Sequence, residues 1–105
     1  MNVLILESDW KYLRKIEPDM LANLCGRINT ESQAILSDES MSEHEKYLEL
    51  YKHIKDSDKI IADCFNDWRR SNIDLKIRHL WNYGLLRETH LNKMSGGIRT
   101  LVEHF

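Results

Sequence analysis

Three groups of side chains in this 105-residue chain have the types and spacing that chemistry uses. Glu45, Glu49 and His53 recur at i, i+4 and i+8, so on a helix they line one face as a carboxylate and histidine metal row would. Helical phase sets that row opposite the apolar stripe of the same segment, whereas metal sites in helical bundles project inward. The row therefore reads as a solvated face, and no metal or cofactor is expected. The other histidines, His44, His79, His90 and His104, form no H-E-x-x-H pattern and have no paired cysteine spacing.

Cys64 stands beside Asp63 and Asp67, whose negative charge raises a thiol pKa and so opposes the reactive thiolate. Ser95-Gly96-Gly97-Ile98-Arg99 offers backbone amides where a helix would start, but a turn and cap accounts for it. No grouping suited to nucleophilic or acid-base catalysis emerges, so an enzyme is not the expected reading.

Asp58 is the position that stands out. With Tyr47 at zero and about 100° per residue, Tyr47, Leu50, Tyr51, Ile54, Asp58, Ile61, Ala62, Phe65 and Trp68 share one stripe roughly 120° wide. A carboxylate on such a stripe needs a partner if it is buried, which makes Asp58 a candidate functional polar position. Tyrosine and tryptophan favour partner interfaces, and Tyr47, Tyr51, Ile54, Ile61, Phe65 and Trp68 form the candidate interface.

The net charge of −2 conceals a division. Residues 1–68 carry 8 Lys and Arg against 14 Asp and Glu, and residues 69–105 carry 7 against 3. Arg69, Arg70, Lys76, Arg78, Arg87, Lys93 and Arg99 spread over short helical segments, the gross layout of a helix-turn-helix unit, and are candidate phosphate contacts for nucleic acid.

The elements that would position these groups are all helical. One proline and four glycines disfavour a turn-rich β architecture, and the spacing of apolar residues predicts an all-α, single-domain bundle of about five helices around one long central helix. Its parts are residues 1–41 (N-terminal helices and an acidic loop), 42–70 (the long helix) and 71–105 (basic C-terminal helices).

Ser8 would cap a short first helix, with Asp9 in its first turn. A kink or restart is expected at Glu17-Pro18-Asp19, and Gly26, which costs about 1 kcal/mol relative to alanine, suggests either close approach of a neighbouring helix or a weak point. Ser37 to Met41 reads as a loop. Ser42 and Glu45 match a capping box, and equal apolar phase on either side of Asp56-Ser57-Asp58 argues for one unbroken helix to Arg70. Ser71 or Asn72 would cap the next helix, with Ile73, Ile77, Leu80 and Trp81 on one face and Gly84 at its end, and Ile98, Leu101, Val102 and Phe105 outline the last.

The long helix would measure about 42 Å against a compact globule about 33 Å across. It should protrude or be covered by another subunit. No apolar run approaches the ~20 residues of a membrane span, and two distant cysteines suit a reducing compartment. The expectation is a cytoplasmic protein acting through protein–protein interaction, self-association foremost, with nucleic-acid binding as the alternative.

Overall fold

The computed structural model describes residues 5–103. The chain up to Leu4, and His104 and Phe105 with the expected end of the last apolar stripe, lie outside the described residues. Among those described there are five helices and no strand: α1 (Glu7–Leu36), α2 (Glu43–Phe65), α3 (Ile73–Asn82), α4 (Glu88–Leu91) and α5 (Gly96–Glu103). The all-α class and the helix number are as the sequence predicts. The longest helix, however, is α1.

α1 runs through Pro18 without a restart. Proline removes one N–H, so the Arg14 carbonyl loses its i+4 donor, but Pro18 is exposed and water can take that bond. On the inner side Leu13, Met20, Leu24 and Ile28 are buried in an unbroken series, and this packing outweighs one lost hydrogen bond. Ser8 lies inside the first turn; the N-cap is Leu6, which supplies no side-chain bond.

Among the described residues none approaches Gly26: a Cβ built there meets no atom within 4 Å. Its helical backbone would accept alanine, and Gly26→Ala is expected to stabilise the monomer by about 1 kcal/mol, read as a higher urea midpoint.

Residues 37–42 reverse the chain. Asp38 accepts from the backbone N–H and hydroxyl of Ser40 at 2.9 and 2.6 Å, which holds its carboxyl below the usual range. The capping box that starts α2 is formed in both directions, Glu45 N–H to Ser42 Oγ at 3.2 Å and Ser42 N–H to Glu45 Oε1 at 3.1 Å. Bonds from the Ser42 backbone N–H, and then from its hydroxyl, to the Glu45 carboxylate lower the Glu45 pKa.

α2 stops at Phe65, not Arg70, because other groups take its last carbonyls. Asn66 N–H makes the last regular i→i−4 bond, to Ala62 O, and Lys76 Nζ reaches both Ala62 O and Asp63 O at 3.0 Å. The Trp68 indole N–H donates to Cys64 O at 2.7 Å, the carbonyl its own backbone N–H would use in a continuing helix. Asp67 then adopts a left-handed φ of 60°, and Asn72 ties the loop with bonds to Arg69 N–H and Asp67 O. Trp68 returns to the side that continuous phase would give it, which is why periodicity alone predicts no break.

α3 closes as its glycine signals. Gly84 has φ 69°, with Leu85 N–H on Leu80 O and Gly84 N–H on Trp81 O, the Schellman arrangement. Arg27, reaching over from α1, donates to the Tyr83 and Gly84 carbonyls at 2.5 and 3.1 Å.

The buried core gathers Leu13, Met20, Leu24 and Ile28 of α1, Cys64 of α2, Ile73, Ile77 and Leu80 of α3, and Leu85, Leu86, Leu91, Ile98, Leu101 and Val102 beyond them. All of it lies toward one end. The span 29–56, described throughout, contains no buried residue, so the distal parts of α1 and α2 form a two-helix arm. The molecule is accordingly elongated, 51 × 24 × 23 Å with a radius of gyration of 16.6 Å, against about 13 Å for a compact chain of this length.

Candidate protein-binding face

The side of α2 turned toward α1 is the predicted apolar stripe displaced by one residue. Lys46, Leu50, His53 and Ile60 are half-buried, and Ser57 and Cys64 are buried; each immediately precedes a member of the expected stripe. A step of one residue rotates a helix by about 100°, so the apolar stripe of the arm points sideways. The polar members of the inner side meet backbone carbonyls: Ser57 Oγ donates to His53 O at 2.7 Å within α2, and His53 Nε2 lies 3.3 Å from Ile28 O of α1. Of the row expected to form a solvated face, Glu45 and Glu49 are exposed, with Glu45 serving the capping box, whereas His53 turns inward to meet α1.

What the rotation leaves outside is apolar. Tyr47 and Tyr51 are each 62% exposed and Ile54 is 42% exposed, with Leu36 and Leu48 also exposed on the arm. Ile61, Phe65 and Trp68, the other half of the candidate interface, pack partly against the protein's own core, with Phe65 and Trp68 stacked at 6.3 Å between ring centroids.

Asp58 does not face the core: it is exposed, at the rim of a groove of about 180 Å³ lined by Cys25, Ile28, Asn29, Ile54, Ser57, Asp58 and Ile61. The displaced register moves Ser57 inward and frees Asp58 of any burial cost.

Three of the seven basic candidates are held in ion pairs. Arg69 pairs with Asp67 at 2.8 Å, Arg70 with Glu7 at 2.6 Å, and Arg99 with Glu88; Arg99 also donates to Asn92 at 2.9 Å. The Arg70 guanidinium lies over the Trp10 ring, 5.3 Å from its centroid, and holds the Glu7 carboxyl below its usual pKa. Lys76 is buried against the end of α2, and Arg78 is half-buried on α3. Arg87 and Lys93 are exposed on either side of α4. Between them His90 accepts at Nδ1 from Arg87 N–H at 2.9 Å, and burial together with those two cations lowers its pKa.

The two cysteines are free and differ in access: Cys25 is half-buried in the groove wall, and Cys64 is fully buried. Burial, reinforced by Asp63, pushes the Cys64 thiol up to about 11. Folded protein at neutral pH is expected to take up one maleimide, at Cys25, and a second only in denaturant, counted by intact mass. Two fast-reacting thiols in the native protein would contradict this placement.

Two polar residues central to the fold escape a reading by motif. Asp9, 2% exposed, accepts from the backbone N–H of Ser95 at 2.9 Å and from its hydroxyl, anchoring the start of α5 to the start of α1. Lys76 occupies the apolar phase of Ile73, Ile77 and Leu80; that intrusion of a cation into an apolar face was the available signal. Among the described residues, no three His, Cys, Asp or Glu side chains gather as a metal would require, and no helix is long and apolar enough to cross a membrane. The sequence matches no protein-family model, and no curated protein or solved structure is significantly similar to it.

Proposed function

We propose that this protein acts by binding protein, and that its partner is a second copy of itself joined through the open face of the α1–α2 arm. The observation that carries the reading is the orientation of α2, which turns Lys46, His53 and Ser57 inward and leaves Tyr47, Tyr51 and Ile54 in solvent. A lone helix pair has no interior, whereas two hairpins packed face to face make a four-helix bundle with one. The face is about 35 Å long and 20 Å wide, roughly 700 Å² per copy, close to the ~800 Å² per partner of a standard interface.

Sedimentation equilibrium tests it. Wild type is expected to be dimeric at about 100 µM, far above the dissociation constant of a specific interface, and Tyr51→Glu monomeric with its helical content retained. A wild type that stays monomeric at that concentration removes the proposal.

A further inference from the structure

Resting on that dimer, we propose that the groove beside Asp58 is the socket for Tyr47 of the second copy, with the phenol hydroxyl donating to the Asp58 carboxylate. Three observations converge. The groove, about 180 Å³, is of the size that takes one aromatic ring, since an apolar cavity of about 150 Å³ accommodates benzene. Ile28, Ile54 and Ile61 line it with Cys25, Asn29 and Ser57, and Asp58 adds a carboxylate. That combination suits a ring with a donor at its tip.

Tyr47 is exposed on the same helix face, eleven residues or about 16 Å from Asp58 along the axis. Isologous pairing requires that if one residue meets a second, the second meets the first. Antiparallel α2 helices related by a two-fold axis between Lys52 and His53 satisfy this twice over. The register that sets Tyr47 against Asp58 also sets Tyr51 against Ile54, the next apolar pair inward, because both pairs share one midpoint. The dimer then contains two sockets and two phenol–carboxylate bonds, and Asp58 selects the partner.

The test is a double-mutant cycle on the dimer dissociation constant, using Tyr47→Phe, Asp58→Ala, which removes the acceptor, and the double variant. Loss of a hydrogen bond to a charged group costs about tenfold, and the dimer has two, so each single variant is expected to weaken association about 100-fold. The double should be no weaker than either single. Additive losses, or an unchanged single variant in a protein that does dimerise, overturn the socket and leave the dimer standing; a monomeric wild type overturns both. Cys25, in the socket wall, provides a readout without mutation: its maleimide labelling should slow as the dimer fills. A labelling rate independent of dimer fraction overturns the socket.

Discussion

Asp9→Ala is expected to destabilise the protein by about 3 kcal/mol, since hydrogen bonds to a charged acceptor contribute roughly 1.5–3 kcal/mol each and Asp9 accepts two, less the relief of no longer burying a carboxylate. Against a total stability of roughly 5–15 kcal/mol that is a large share, and it would lower the melting temperature by about 10–20 °C. The cause lies in the weakness of α5 alone. It has eight residues and opens on Gly96-Gly97, too short and too rich in glycine to hold a helix without tertiary support. Ser95 is the residue before it, and Asp9 fixes both its N–H and its hydroxyl across 86 positions of chain. Ser95→Ala on its own should cost less, because its backbone N–H remains. Thermal melts of the two singles and the double would show strong coupling; independent effects would mean that Asp9 stabilises only its own helix.

Lys76→Met should cost about 2–3 kcal/mol, measured by urea denaturation. Methionine keeps most of the packing volume, so the loss isolates two charge-assisted bonds to the α2 carbonyls and a cation at a helix C-terminus. The offsetting term is the desolvation of the ammonium, and replacing a buried ion with an apolar side chain is sometimes neutral. Here the bonds should win, because truncation leaves Asp63 O without the donor that ends the helix, while Ala62 O retains Asn66 N–H. A methionine variant as stable as wild type would show that α2 ends on Asp67 and Trp68 alone.

These two sites mark where sequence reasoning reached and where it stopped. Local devices were legible: Ser42 and Glu45 at the start of α2, Gly84 at the end of α3, and the apolar spacing of Ile73, Ile77 and Leu80 each need only a few neighbouring residues. Asp9 was legible as an acidic first-turn residue, but its partner is 86 positions away and no periodicity points to it. The end of α2 was hidden because side chains of Trp68 and Lys76 replace backbone donors without disturbing apolar phase. The orientation of α2 was hidden for a different reason. A helical wheel finds the most apolar side of α2 but not what that side meets, and the packing that turns Lys46, His53 and Ser57 toward α1 joins residues far apart in the chain, His53 and Ile28 being 25 positions apart.

The arm itself carries a consequence for motion. Residues 29–56 have no buried side chain to hold them, so their helices open locally at a small fraction of the global unfolding free energy, and their amide protons exchange with solvent well ahead of those around Leu13 and Leu80. The proposed dimer should slow exchange over these 28 positions and leave the rest of the chain unchanged. Exchange protection that appears on the arm and nowhere else would be the signature of its occupant.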